Sequence, residues 1–130
     1  MRELELSLKA AADPTRTRIL KLLEAGGLCV CQIQTVLGLS PSTISKHLTI
    51  LRNADLVQDK RNGKWIEYAL TTDVPNPYAE RVLSLLRGTL DRDPRVVADR
   101  KRLREVKAIP LVDLCSVMPA RAAASKARTR

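Results

Sequence analysis

Aromatic side chains are nearly missing from this sequence: among 130 residues there is no Phe, one Trp and two Tyr. A core without them has to be built from Leu, Ile, Val and Ala, which suits helix packed on helix. No run of about 18 apolar residues occurs, so no transmembrane helix and no membrane partner are expected. The start, Met1-Arg2-Glu3-Leu4-Glu5, carries acid where a secretion signal needs a basic segment and then an apolar stretch. The cytoplasm is therefore the expected compartment. Catalytic signatures are missing too. There is one His, no Ser-His-acid arrangement, no phosphate-cradling glycine loop and no paired carboxylates in an obvious cleft, so an enzyme is not expected. In a reducing compartment the three cysteines read as free thiols or metal ligands rather than as a disulfide framework.

What is abundant is positive charge, +9 in total, but +7 of it falls within residues 95–130 and leaves the rest at only about +2. A basic balance so unevenly placed is a poor argument for nucleic acid by itself. The position of particular residues has to carry that argument.

The pattern of apolar residues predicts a first helix over 2–12 with Leu4, Leu8 and Ala11 on one face. Asp13-Pro14, a capping residue followed by proline, opens a second helix that runs to Ala25, buries Ile19, Leu22 and Leu23, and is stopped by Gly26-Gly27. A short third helix over 29–37 turns Ile33, Val36 and Leu37 inward and ends at Gly38. Ser40-Pro41 opens a fourth, whose stripe is Ile44, Leu48 and Leu51. Two short helices joined by Gly38-Leu39-Ser40 form a helix-turn-helix. From Leu56 to Leu70 the composition becomes strand-like on both sides of Asn62-Gly63, the strongest short hairpin signal. A hairpin directly after a helix-turn-helix is a wing. The fold class is thus mainly α with a small β-hairpin wing, a winged helix-turn-helix. A further helix near 78–90 carries Val82, Leu85 and Leu86, and Asp93-Pro94 caps a charged one reaching Lys107. The chain divides into a winged helix-turn-helix and dimerisation domain over 1–92, a C-terminal helix and segment over 93–117, and a basic, disordered tail over 118–130.

With its stripe buried, the fourth helix presents Ser42, Thr43, Ser45, Lys46 and Thr49 outward, with Ser40 at its start and His47 and Arg52 flanking. Short hydrogen-bonding side chains with one cation suit base edges and phosphates in a major groove. The wing adds Lys60, Arg61 and Lys64 for backbone or minor-groove contact. His47 has a second reading, as a packing or capping residue. Double-stranded DNA is the expected partner.

Cys29-Val30-Cys31 begins the third helix beside this unit. Thiolates are soft ligands, and a helix start lowers thiol pKa. Residues spaced by two point away from each other on a helix, so one ion reaches both sulfurs only if the first turn distorts. Alternatively, both are small core residues.

The stretches "AADPTRTRILKLL", "LCVCQIQTVLGLSPSTISKHLTILRNADLV" and "DKRNGKWIEYAL" resemble the ArsR-type family of metal-responsive repressors. The resemblance spans about residues 5–72 and implies a homodimer formed by the first helix and the helix near 78–90, reading a palindromic operator. It also implies an inducer, arsenite or in its place antimonite, cadmium or lead. Arsenic-responsive members of one type carry a third cysteine three residues after the pair, where this chain has Gln34. The remaining thiol is Cys115, which makes Cys29, Cys31 and Cys115 the candidate ligands of trivalent arsenic. Three thiolates match its trigonal demand, whereas zinc, cadmium or lead would favour a fourth. Cys115 is otherwise an inert packing residue, and sequence leaves open whether it serves its own chain or a partner's. Two rivals stand beside the arsenic-responsive repressor: a repressor of the same fold switched by thiol oxidation, and a winged-helix protein-interaction module. The region from Arg95 onward reads as a solvated helix and tail, or as a source of nonspecific DNA affinity.

Overall fold

Four of the helices begin the same way, with a capping side chain followed by proline. In the computed structural model, which describes residues 1–73 and 75–116, these are α2 (Pro14–Leu23), α4 (Pro41–Asn53), α5 (Pro77–Leu86) and α6 (Pro94–Lys107), capped by Asp13, Ser40, Asn76 and Asp93. The capping oxygen takes an orphan backbone N–H, and proline presets φ where no donor is needed. The remaining elements are α1 (Arg2–Ala11), β1 (Leu28–Cys29), α3 (Val30–Leu37), β2 (Val57–Asn62), β3 (Trp65–Leu70) and α7 (Leu111–Ser116). The architecture is mainly helical with an antiparallel wing, as the sequence indicates. The expected tail over 118–130 lies outside the described residues.

Ile19, Leu22, Ile33, Ile44, Leu48, Leu51, Leu56 and Val57 are fully buried and join α2, α3, α4 and the wing in one core. The inward faces predicted for α2, α3 and α4 are those observed. The first helix differs. Its buried residues are Ser7 and Ala10, while Leu4 and Ala11 are half-buried and Leu8 is 49% exposed. Small side chains bring α1 close, and the Ser7 hydroxyl donates to the Ala54 carbonyl at the end of α4 at 3.4 Å. The leucine face is left outward.

The wing has three strands rather than two, in the order β1-β3-β2. β1 pairs antiparallel with β3 through Leu28↔Tyr68 and Cys29↔Glu67. The hairpin register runs from Val57↔Leu70 to Asn62↔Trp65. Asn62 therefore closes the ladder, and the two loop residues are Gly63 and Lys64. Only Gly63 of these has positive φ, +64°, the arrangement of a tight turn with glycine in its first central position.

The helix expected to reach residue 90 ends at Leu86, because Arg87 is extended and Gly88 takes φ +81°. The turn that follows is pinned from below by Lys21, which is 1% exposed. Its ammonium meets Glu24 at 2.9 Å, Asp91 at 3.0 Å and the Leu86 carbonyl at 2.8 Å. Arg100 of α6 joins the same two carboxylates at 2.9 and 3.0 Å. A buried cation needs such partners, since desolvation alone would cost several kcal/mol. α6 is also held on α2 by a two-pronged bond from Arg18 to Asp99, both arms 2.8 Å, which raises the arginine above its ordinary pKa. Among the described residues no helix is long and apolar enough to cross a membrane.

Candidate nucleic-acid interface and thiol site

Gly38, in the left-handed region at φ +69°, ends α3 and lets the chain turn into α4. Ser40 then caps α4: its oxygen accepts from the Thr43 N–H at 3.2 Å, and its hydroxyl donates to Thr43 Oγ1 at 2.9 Å. The Ser42 hydroxyl lies 3.3 Å from that of Ser40. Three hydroxyls thus gather where the free N–H groups and positive end of the helix dipole point outward, an arrangement suited to a phosphate.

Further along α4, Ser42 and Lys46 are exposed, while Thr43, Ser45, His47 and Thr49 are half-buried. Arg52, in the last turn, is ion-paired to Asp59 of β2 at 3.4 Å and ties the helix to the wing. At the wing, Lys60, Arg61 and Lys64 are all exposed. Lys60 stands 3.9 Å from Glu67 across the hairpin, and the Lys64 ammonium sits 5.9 Å from the centre of the Trp65 ring. The candidate DNA-facing residues therefore fall on one helix, its capping turn and the adjoining hairpin tip.

Sequence reasoning did not single out Arg16. Its guanidinium donates to the carbonyls of Ala10 at 2.6 Å and Lys9 at 3.3 Å, and lies 3.3 Å from His47 Nδ1. It closes the end of α1 against α4. Only its place two residues after a proline cap was visible beforehand, and that says nothing about a contact 31 positions away. Arg102 of α6, donating to the Thr35 carbonyl at 3.1 Å, was equally hidden.

Cys29 and Cys31 occupy different roles at the start of α3. Cys29 is the N-cap, in extended conformation, and its N–H donates to Gln32 Oε1 at 2.9 Å. Cys31 lies within the first turn and is 3% exposed. It is joined in a disulfide to Cys115 of α7, with the two Cα atoms 5.8 Å apart. The expectation of free thiols without a disulfide is corrected for this pair. Helices α3 and α7 bring Cα atoms 84 positions apart in sequence within the ordinary span of such a bond. Cys115 thereby meets its own chain's Cys31. Cys29 is buried and outside the bond. Among the described residues no three His, Cys, Asp or Glu side chains gather into a metal-binding group. Two of the three candidate ligands converge and the third stands at the cap. Gln34, one turn beyond Cys31, keeps a buried Oε1 with no hydrogen-bond partner.

A sequence profile described as bacterial regulatory protein, arsR family, matches residues 13–59. The arsenic resistance transcriptional regulator ArsR1 of Pseudomonas putida is 38% identical over 104 residues, covering 78% of each chain. The arsenical resistance operon repressor of Escherichia coli K12 is 46% identical over 68 residues, 52% of this chain and 58% of that one. Among solved structures, HlyU from Vibrio cholerae superposes with a TM-score of 0.58 at 28% identity, over 69% of this chain and 95% of that one. The repressor BigR from Xylella fastidiosa gives 0.57 at 25% identity, over 71% and 87%.

Proposed function

The chain belongs to the arsR family of bacterial regulatory proteins, and we propose that it is an operator repressor, acting as a homodimer in the cytoplasm, that trivalent arsenic releases from DNA. As a DNA-binding regulator of this family it is not an enzyme. The proposed DNA-facing set is Ser40, Ser42, Thr43, Ser45, Lys46, His47, Thr49 and Arg52 from α4, with Lys60, Arg61 and Lys64 from the wing. Homodimerisation through α1 and α5 is supported by the apolar residues these packed helices leave outward, Leu8 at 49% and Leu85 at 69% exposure.

The observation that carries the inducer reading is the approach of Cys31 and Cys115 across α3 and α7. As a reduced dithiol the pair has the chemistry for arsenite, and antimonite is bound by the same thiolates. Each sulfur that binds arsenic displaces a hydroxide, which leaves as water with the thiol proton. Recruiting Cys29 as the third ligand requires the first turn of α3 to open, because a cap and a residue two further on point apart. α3 runs through Gly38-Leu39-Ser40 directly into α4, so opening it disturbs the helix that faces DNA. A preference of a few kcal/mol for the opened state suffices for more than tenfold release.

The test is fluorescence anisotropy of the reduced protein on its upstream DNA, titrated with arsenite and repeated for Cys29→Ser, Cys31→Ser and Cys115→Ser. Release in the wild type and in none of the variants supports a three-thiolate site. Continued response of Cys115→Ser reduces the site to the Cys29–Cys31 pair, and no release in the wild type removes arsenic as inducer. The disulfide itself favours a second reading, release by oxidation. Peroxide would take two electrons from the dithiol, with both thiol protons passing to the water formed, and would release DNA without arsenite.

A further inference from the structure

We propose that Arg16 is a positioning residue for DNA binding, one that fixes the proton of His47 on Nε2 and directs that N–H at a phosphodiester oxygen of the operator. This rests on the reading that α4 faces DNA. The geometry begins with chemistry that leaves one option. A guanidinium has only N–H donors and stays charged at physiological pH. With Arg16 Nη1 at 3.3 Å from His47 Nδ1, a hydrogen bond exists only if Nδ1 offers its lone pair. The neutral ring then carries its proton on Nε2, on the far side of the imidazole from Arg16.

That outward donor has no other use among the described residues. Among the described residues His47 makes no second hydrogen bond. The ring is half-buried, four residues after Thr43, so it stacks one turn above the hydroxyl cluster at the start of α4 on the same side of the helix. Its contact with the α1–α2 corner puts it at the flank of α4 rather than on the middle of its outer face. A flank donor meets the wall of a groove, which is phosphate, while the middle of the helix meets base edges.

Arg16 is itself held in place. Its Nε donates at 2.6 Å to the Ala10 carbonyl, which the end of α1 leaves open, and its Nη2 at 3.3 Å to the Lys9 carbonyl, which also accepts from the Ala12 N–H. The orientation of His47 is therefore set by the last turn of α1, a helix of the proposed dimer interface.

His47 is the only histidine in the chain, so its imidazole resonances need no assignment. The experiment uses the full-length reduced protein at one pH, with long-range proton–nitrogen NMR of the ring and anisotropy on operator DNA. The expected spectrum has a bare Nδ1 and a protonated Nε2, and the Nε2 proton shifts when DNA is added. Arg16→Ala is expected to give a tautomer mixture and an affinity loss of about tenfold. Because that variant also frees the α1 carbonyls, the cycle is completed with His47→Ala and the double variant. Arg16→Ala should cost little further affinity once the ring is gone. The loss from His47→Ala should be equal on operators carrying different base substitutions, as a phosphate contact requires.

A protonated Nδ1 in the wild type, additive losses in the cycle, or a His47→Ala loss confined to one base pair would each overturn the proposal while DNA binding stands. A wild-type protein with no salt-sensitive DNA affinity would instead remove the function reading, and this inference with it.

Discussion

The two helices of the helix-turn-helix are separated by three residues, yet they live in different surroundings. α3 is enclosed: β1 precedes it, α4 and α6 pack against it, and α7 is bonded to it through Cys31–Cys115. α4 buries one stripe, Ile44, Leu48 and Leu51, and keeps a polar face outward. An enclosed helix transmits what happens to it, because close-packed neighbours cannot absorb a shift. A half-free helix can meet a partner without repacking. Under the proposed function the chemical event falls on α3 and the recognition on α4, although neither helix alone holds a complete site.

The sharpest way to break this division is Leu48→Ala, which empties the core that the two helices share. It should cost about 2–5 kcal/mol of stability in denaturant unfolding, whereas Lys46→Ala on the outer face should stay within about 0.5 kcal/mol. Equal effects would mean that α4 has no free face. Next in size is removal of the Ser40 cap. Ser40→Ala should lower stability by about 1 kcal/mol and weaken DNA binding as well, since the same hydroxyl cluster is lost; an unchanged melting temperature would contradict the cap. Smaller again is Lys64→Ala at the wing tip. It should reduce the slope of log affinity against log salt by about one, measured by anisotropy across a salt series, with stability unaltered. Last, deletion of residues 118–130 should leave the arsenite response where it was, and its loss would show that the tail belongs to the sensing machinery.

The parts of the molecule that sequence made plain are those decided by neighbours along the chain. Asp13-Pro14, Ser40-Pro41 and Asp93-Pro94 mark helix starts because cap and proline act within one turn, and the stripes of α2, α3 and α4 repeat at helical spacing. The leucines of α1 also repeat, but periodicity cannot tell a face that meets the core from one left outward. Ser7 and Ala10 look unremarkable until the approach of α4 is known. β1 is two residues long, too short for any alternation to register. The candidate ligands were legible as residue types, while the meeting of Cys31 with Cys115 depends on where α6 and its following turn carry the chain. Arg16 belongs with these: a side chain's long-range partner leaves no trace in the residues beside it.

The brevity of β1 sets how little variation the loop before it tolerates. A Cβ on Gly27 would stand 2.7 Å from the Glu67 side chain, so that carboxylate lies directly over the glycine and marks the frame in which Leu28 and Cys29 meet β3. Strand faces alternate with every residue. One residue added between Gly27 and Leu28 would put the leucine in the cap position and carry the thiol past it into α3. Most surface loops accept a change of length at modest cost. This one is a ruler, and the distance it measures is the offset between a sheet and a sulfur.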